Sequence, residues 1–143
     1  MRRLRDLIGQ RVMSSESAES LGKVKGVVVD AGSAKLAALR VKGTDAEFVD
    51  WTDLSGAGPD AVVVTGTSSF RAAGAEYEER AQSGDVDLLG KRVLTDGGFE
   101  LGSVTDAEFD EADGSIEAVL IGDERIAGDR LRAVGGYAVV VRS

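Results

Sequence analysis

The hydrophobic and polar residues of this chain follow a short-period pattern, and the pattern occurs twice. Valine-rich segments, bracketed by Gly or Asp, recur along both halves of the sequence. Runs of Val, Ile and Thr between such residues are typical of β-strands. The pattern predicts five strands in each half. They lie near residues 10–13, 21–30, 35–42, 46–51 and 60–65, and near 91–95, 101–110, 115–122, 124–128 and 137–142.

The two halves also match residue by residue, which indicates an internal repeat. The sequence LIGQRVM at 7–13 corresponds to LLGKRVL at 88–94, and DAVVVT at 60–65 corresponds to YAVVVR at 137–142. The offset between matched positions changes from 81 to 80 to 77 along the chain, so the length differences fall between the matched blocks, as loop insertions do. We therefore expect two copies of one small, all-β unit.

Each copy contains a long strand whose buried side chains change face partway along. In the first copy Val24 lies on one face, whereas Val27 has the opposite parity. Such a switch requires a bulge or a sharp bend, which we expect near residues 25–26 and, in the second copy, near 105–106. Strong bending is what a small closed barrel requires. The sequence therefore predicts two small β-barrels in tandem, packed as a pseudo-twofold pair.

Residues 67–85 differ in composition from both copies and are expected to form a linker. Ser and Gly flank an Ala-, Glu- and Arg-rich segment that runs from Phe70 to Gln82, and we expect it to contain one or two turns of helix. On a helix, Phe70, Ala73 and Tyr77 would share one face. Because an isolated helix of this length is marginal, we expect it to pack on a barrel.

The composition argues against an enzyme. The 143 residues include no Cys and no His, which removes thiolate chemistry, the commonest general base and the commonest transition-metal ligand. The serines between residues 14 and 20 have no activating base, and the glycines match no phosphate-binding fingerprint. An enzyme that uses carboxylates alone is a third and weaker alternative. We expect no catalytic, metal-binding or cofactor-binding residue, no cofactor and no small-molecule substrate.

The net charge of −8 is unevenly distributed between the two repeats. The first repeat (residues 1–66) is neutral, whereas residues 87–143, nearly all of the second repeat (86–143), carry −6. Nucleic-acid binding requires clustered cations, so only the first repeat and the arginines before residue 6 could supply it. Three arginines in such a position are typical of a solvated tail. The acidic balance favours a basic partner instead.

The densest acidic segment lies in the second repeat and does not form a calcium loop. With Gly114 at position 6 of such a loop, position 1 would be Phe109 and position 12 would be Leu120, neither of which supplies oxygen. We expect a solvated acidic hairpin, with Asp106 and Glu108 facing water. The cluster consists of Asp106, Glu108, Asp110, Glu111, Asp113 and Glu117.

Nothing in the sequence predicts a membrane-spanning or secreted protein. No apolar run approaches the ~20 residues that span a bilayer. The basic N-terminal residues are not followed by the apolar region of a signal peptide. We expect a cytoplasmic protein.

The order of the segments resembles the PRC-barrel family, named for the H subunit of photosynthetic reaction centres. In the first repeat the segments read LIGQRV, LGKV, VVVD, LAALRV, WTDL and DAVVV. In the second repeat they read LLGKRV, LGSV, AEFD, IEAVLI, GDRL and YAVVV. The second repeat departs from the first at Gly128, where the first has Trp51.

The resemblance implies an interaction module, because barrels of this family occur in a photosynthetic membrane-protein subunit and in a ribosomal small-subunit maturation factor. We expect a non-catalytic adaptor that binds another protein or a second copy of itself. The alternative is an accessory to ribosome or RNA maturation. Tryptophan and tyrosine are enriched at the energetic centres of interfaces, so Phe70, Tyr77 and Trp51 are the candidate partner-binding residues.

Overall fold

The computed structural model describes residues 2–74, 76–81, 84 and 86–143. Short strands dominate, and the helices are few. The first repeat contains β1 (Arg2–Arg3), α1 (Leu4–Leu7), β2 (Arg11–Ser14), β3 (Ser20–Asp30), β4 (Lys35–Lys42), β5 (Phe48–Asp50), β6 (Leu54–Ala57) and β7 (Val62–Val64). The linker contains β8 (Phe70–Arg71) and α2 (Glu76–Ala81). The second repeat contains β9 (Arg92–Thr95), β10 (Glu100–Ser103), β11 (Asp106–Phe109), β12 (Ile116–Ile121), β13 (Glu124–Ala127), β14 (Leu131–Val134) and β15 (Val139–Val141).

The two repeats have the same strand order, which confirms the duplicated barrel. In the first repeat the order is β6-β7-β2-β3-β4-β5, extended by β8. In the second repeat it is β14-β15-β9-β10 and then β11-β12-β13, in two sheets. Each repeat contains one parallel pair at the same place, with Val12 beside Val62 and Val93 beside Val139. A 3₁₀ turn precedes β6 and another precedes β14, at Trp51–Asp53 and Gly128–Arg130.

The bend occurs in the long strand where the sequence predicts it. In the first repeat the ladder between β3 and β4 shifts register between Val24 and Gly26. In the second repeat the expected strand over 101–110 is wrong, because the chain divides there into β10 and β11, which belong to different sheets. The residue after this break, Asp106, is buried rather than exposed to water.

The burial of Asp106 has a specific cause. Its Oδ1 accepts hydrogen bonds from the backbone N–H of Arg5, at 3.0 Å, and from that of Ala107, at 2.8 Å. The carboxylate therefore satisfies an amide in the first turn of α1, which packs against β11. Glu108, also expected to face water, is half-buried and accepts a hydrogen bond from Arg125 at 2.9 Å.

A pair of reciprocal hydrogen bonds marks the pseudo-twofold relation between the repeats. The N–H of Leu36 donates to the carbonyl oxygen of Gly114 at 2.8 Å, and the N–H of Ile116 donates to that of Ala34 at 2.7 Å. Leu36 matches Ile116 and Ala34 matches Gly114 at the offset of 80, so the two hydrogen bonds are equivalent. The pseudo-twofold axis therefore passes between Lys35 and Ser115, which form an antiparallel bridge. One hydrophobic core runs through both repeats.

The linker contains a helix of the expected one or two turns, α2, but the residues expected to share its face do not all lie on it. Phe70 and Arg71 form β8, which pairs with β5, so the expected single helical face with Phe70, Ala73 and Tyr77 is wrong. A strand forms here because it pairs backbone groups at the edge of β5, which a helix would leave without a partner. Gln82, the end of the Ala-, Glu- and Arg-rich segment, lies outside the described residues. Helix α2 covers a second, smaller core formed by Val28, Ala38, Phe48, Ala81 and Val86.

Candidate protein-docking groove

A groove of about 720 Å³ opens at the surface where the linker crosses between the repeats. One wall is the end of β3 and the start of β4, and the opposite wall is β14 of the second repeat. The linker supplies the rest of the lining. The residues around this groove, which we call the docking groove, are Val28, Val29, Asp30, Ala31, Ala37, Arg71, Gly74, Tyr77, Glu78, Ala133 and Val134.

An ion-pair cluster around Arg71 fixes the linker side of the docking groove. The Arg71 Nη2 lies 2.7 Å from Asp50 Oδ1, and its Nη1 lies 2.6 Å from Glu78 Oε1. Glu78 Oε1 also accepts a hydrogen bond from the N–H of Gly74 at 2.7 Å. The hydrogen bonds with Glu78 and then Asp50 raise the pKa of Arg71. The hydrogen bond from Arg71, with a smaller contribution from the N–H of Gly74, lowers the pKa of Glu78. The cluster therefore connects β5, β8 and α2 on one wall of the groove.

Tyr77 connects the linker to the second repeat. Its hydroxyl donates a hydrogen bond to the carbonyl oxygen of Val134 at 2.9 Å, and its half-buried ring packs on the second core. Burial raises the pKa of the phenol above its ordinary value. Tyr77 therefore lines the docking groove and also connects its two walls, by packing on the second core and by its hydrogen bond to Val134.

The three residues that the sequence nominated for partner binding do not come together. Tyr77 lies in the docking groove, whereas Phe70 is half-buried and lines a separate depression of about 410 Å³ beside Leu21 and Thr44. Trp51 is 8% exposed, with its ring at 5.8 Å from that of Phe109 in an edge-to-face contact. Trp51 thus packs the junction of the repeats and presents no aromatic face to the surface.

Sequence reasoning missed two exposed aromatic residues and the Arg71 cluster. Phe99 is 73% exposed and Tyr137 is 72% exposed, both in the second repeat. The guanidinium of Arg92 lies 4.8 Å from the centre of the Tyr137 ring. Both aromatics sit beside glycines in turns, which is a signal of exposure that the sequence does carry. No sequence signal marks Arg71, because its partners come from β5 and α2.

The segment that carries the arginines before residue 6 is paired in a sheet and its Arg2 is largely buried, which corrects the expected solvated tail, although Arg3 and Arg5 are exposed. Strand β1 pairs with β11, and the Arg2 side chain is 13% exposed. Its Nη1 donates to the carbonyl oxygens of Ala57, at 2.9 Å, and Gly58, at 2.8 Å, and lies 3.3 Å from Glu111 Oε2. Strand β1, which we call the arm, therefore neutralises part of the acidic hairpin.

Two other carboxylates of the acidic hairpin accept hydrogen bonds within their own turns. Asp110 Oδ1 accepts a hydrogen bond from the N–H of Ala112, and Asp113 Oδ1 accepts one from the N–H of Ser115. The bonds from Ser115 lower the pKa of Asp113. Within the described ranges, no group of three or more acidic side chains is placed to hold a metal ion.

No helix in the part of the chain that the structure describes combines the length and the hydropathy needed to cross a membrane.

The architecture defines a class of protein made of two small curled β-barrels related by a pseudo-twofold axis. The PRC-barrel domain family matches this chain twice, over residues 1–71 and over residues 82–141. The chain therefore belongs to the PRC-barrel family and carries two copies of its domain, as the order of the segments indicates. A comparison with curated proteins finds no match.

The Arg71 cluster makes stability depend on pH in the acid range. Because the pKa of Glu78 is lowered in the folded state, its contribution is complete above the ordinary Glu pKa, about 4.3. That contribution is lost as pH falls through the lowered value. We expect Glu78→Gln to make the urea midpoint less sensitive to pH between about 6 and about 3. Glu79→Gln, at an exposed position of the same helix, should leave the dependence of the urea midpoint on pH as it is in the parent protein. The same dependence of the urea midpoint on pH in all three proteins would contradict this role of Glu78.

Proposed function

We propose that this protein is a non-catalytic cytoplasmic adaptor that binds a partner protein in the docking groove. The observation that carries this proposal is the groove itself, because its walls come from both repeats and from the linker. Its lining is mostly small and apolar, with a few polar side chains held by hydrogen bonds. No His or Cys is available in the sequence for acid–base or nucleophilic chemistry.

Charge supports a basic partner. The second repeat carries −6 over residues 87–143, and the neutral first repeat does not offset it. Complementary charge raises the rate of association more than the affinity, and salt weakens the effect. Association with the partner should therefore be faster at low salt.

The alternative function, an accessory to ribosome or RNA maturation, has less support. It requires exposed cations to meet phosphates. Arg2 is engaged by carbonyl oxygens and Glu111, and the Nε of Arg5 donates to the carbonyl oxygen of Thr105 at 2.5 Å. Arg2 and Arg5 are therefore engaged by the chain itself, and of these three arginines Arg3, whose side chain is 54% exposed, is the one most open to such a contact.

Site-specific photo-crosslinking tests the proposal. A benzophenone amino acid at Ala133, an exposed position in the docking groove, should give one defined protein adduct in the cells that make this protein. The same probe at Ala112, an exposed position on the acidic hairpin, should not give that adduct. Ala37→Arg, which fills the groove from β4, should abolish the adduct from Ala133. The same adducts from both positions, or adducts to RNA, would contradict the proposal.

A further inference from the structure

We infer that Asp96, in the turn between β9 and β10, is a site of spontaneous isomerisation to isoaspartate, and that Asp113 is protected from the same reaction. This inference does not depend on the proposed docking function. An aspartate followed by glycine is the sequence most prone to this reaction, because glycine has no side chain to hinder ring closure and a flexible backbone. The chain contains two such pairs, Asp96-Gly97 and Asp113-Gly114, and no Asn. The structure therefore decides between two sites.

The reaction needs only the chain and water. The backbone nitrogen of the glycine attacks Cγ of the neutral aspartic acid, and the new C–N bond closes a succinimide ring. The proton of that nitrogen leaves with the carboxyl hydroxyl as a water molecule. Water then opens the ring at one of its two carbonyl carbons. Opening at the side-chain carbonyl restores aspartate, whereas opening at the main-chain carbonyl routes the backbone through the side chain. Mass and charge are unchanged by the complete reaction.

The two carboxyl groups are held in similar ways. Both aspartates are exposed. Asp96 Oδ1 accepts hydrogen bonds from the N–H of Ser143 at 3.1 Å and from its hydroxyl at 2.6 Å, and Asp113 Oδ1 accepts one from the N–H of Ser115 at 2.9 Å. In each case the bonds from the serine lower the pKa of the carboxyl group. The carboxyl groups therefore do not distinguish the two sites.

The attacking nitrogen distinguishes them, because that of Gly114 is already engaged. Its N–H donates to the carbonyl oxygen of Asp110 at 2.8 Å, and its own carbonyl oxygen accepts the N–H of Leu36 at 2.8 Å. Gly114 is also buried, with a φ of +77°, and a Cβ atom built there would lie 3.1 Å from the Trp51 ring. The glycine is thus held on both sides, so its nitrogen cannot turn toward Cγ of Asp113.

The nitrogen of Gly97 lies in a more open turn. Gly97 and both of its neighbours in the chain are exposed, and its N–H donates no hydrogen bond within the described residues. A Cβ atom built at Gly97 would come no closer than 3.6 Å to any atom beyond its chain neighbours. The turn is closed by the N–H of Gly98, which donates to the carbonyl oxygen of Thr95 at 3.0 Å. The Gly97 nitrogen is therefore free to approach Cγ of Asp96.

Isomerisation would lengthen the main chain of this turn by one carbon atom. The turn carries Phe99, which is 73% exposed, and is held by the N–H of Thr95, which donates to the carbonyl oxygen of Phe99 at 2.8 Å. An added carbon atom displaces both residues. None of the residues that line the docking groove belongs to this turn, so the modification changes the surface of the second repeat elsewhere.

The experiment is incubation of the full folded chain near neutral pH, followed by trypsin digestion and electron-transfer mass spectrometry. This fragmentation identifies isoaspartate by cleavage of its additional backbone bond. Residues 93–125 form one tryptic peptide that contains both aspartates, so one spectrum compares the two sites. We expect isoaspartate to accumulate at residue 96 at least about tenfold faster than at residue 113. In the chain unfolded by urea, the two rates should agree within about threefold.

Gly97→Ala is the matched variant, because the space around Gly97 accepts a methyl group and the turn is kept. It should slow the reaction at residue 96 by about tenfold or more and leave the rate at residue 113 unchanged. Equal rates at the two sites of the folded protein, or a faster rate at residue 113, would overturn the inference. Isoaspartate that forms only in the unfolded chain would also overturn it, and so would an unchanged rate in Gly97→Ala.

Discussion

Trp51→Ala is expected to destabilise the protein by about 3–5 kcal/mol, the range for removing a large buried aromatic side chain. Trp51 is 8% exposed and meets the edge of Phe109 in the other repeat. A side chain built at Gly114 would lie 3.1 Å from the Trp51 ring, so the indole also packs tightly on the turn that leads to β12. The substitution therefore opens a cavity at the junction of the repeats.

Urea unfolding followed by far-UV circular dichroism measures this effect, because the variant lacks the only Trp of the chain. Phe99→Ala is the matched control, since it also removes an aromatic ring but from a side chain that is 73% exposed. Its stability should stay within about 0.5 kcal/mol of the parent protein. A Trp51→Ala variant as stable as this control would show that Trp51 does not join the repeats.

Gly128→Ala is expected to cost about 3 kcal/mol or more, because it forces one backbone segment away from another. A Cβ atom at Gly128 would lie 1.7 Å from the carbonyl oxygen of Ile116 and 2.7 Å from its carbonyl carbon. Both contacts are with backbone, so no side chain can rotate away to relieve them. This close approach explains why the second repeat has Gly where the first has Trp51.

Gly56→Ala is the control for Gly128→Ala. No heavy atom lies within 4 Å of a Cβ atom built at Gly56, and the matched position in the second repeat already carries Ala133. We expect a change within about 0.5 kcal/mol of the parent protein, measured by urea unfolding. Similar midpoints for the two variants would contradict the close packing of Gly128 on β12.

The features of the fold that the sequence predicts correctly are those with a local signature. The valine-rich segments predict β2, β7, β9 and β15, and the duplication shows that they are equivalent. The parity switch around Val24 predicts the bend because both sides of it lie within one strand. Strands β6 and β14 escaped prediction, since LSGA and LRAV are short and carry no clear alternation.

The features that the sequence does not predict depend on residues far apart in the chain. Asp106 is buried because it bonds an amide 101 residues earlier, at Arg5. At the matched position the first repeat has Gly26, which leaves room for the buried side chain of Arg40. Arg40 donates to the carbonyl oxygen at the end of α2, on Ala81, and pairs with Asp87 at 3.5 Å. Each repeat thus uses the bend to hold a chain segment that no local pattern identifies.

The docking groove could be predicted only in part for the same reason. Tyr77 stands out in sequence as a large aromatic residue in a linker that has little core to fill. The positions of Val134 and Asp30 on either side of it result from the packing of the two repeats. The arm pairs through only two residues and therefore leaves no sequence pattern.

The proposed function requires the two repeats to fold as one unit, because both supply walls of the docking groove. The most direct measurement is a urea titration of the full chain that follows Trp51 fluorescence together with the amide NMR signals of β4 and β12. We predict coincident transitions with a single midpoint, as for a two-state domain. Separate midpoints for the first and second repeats would show two independent barrels, and the groove between them would then have no fixed shape.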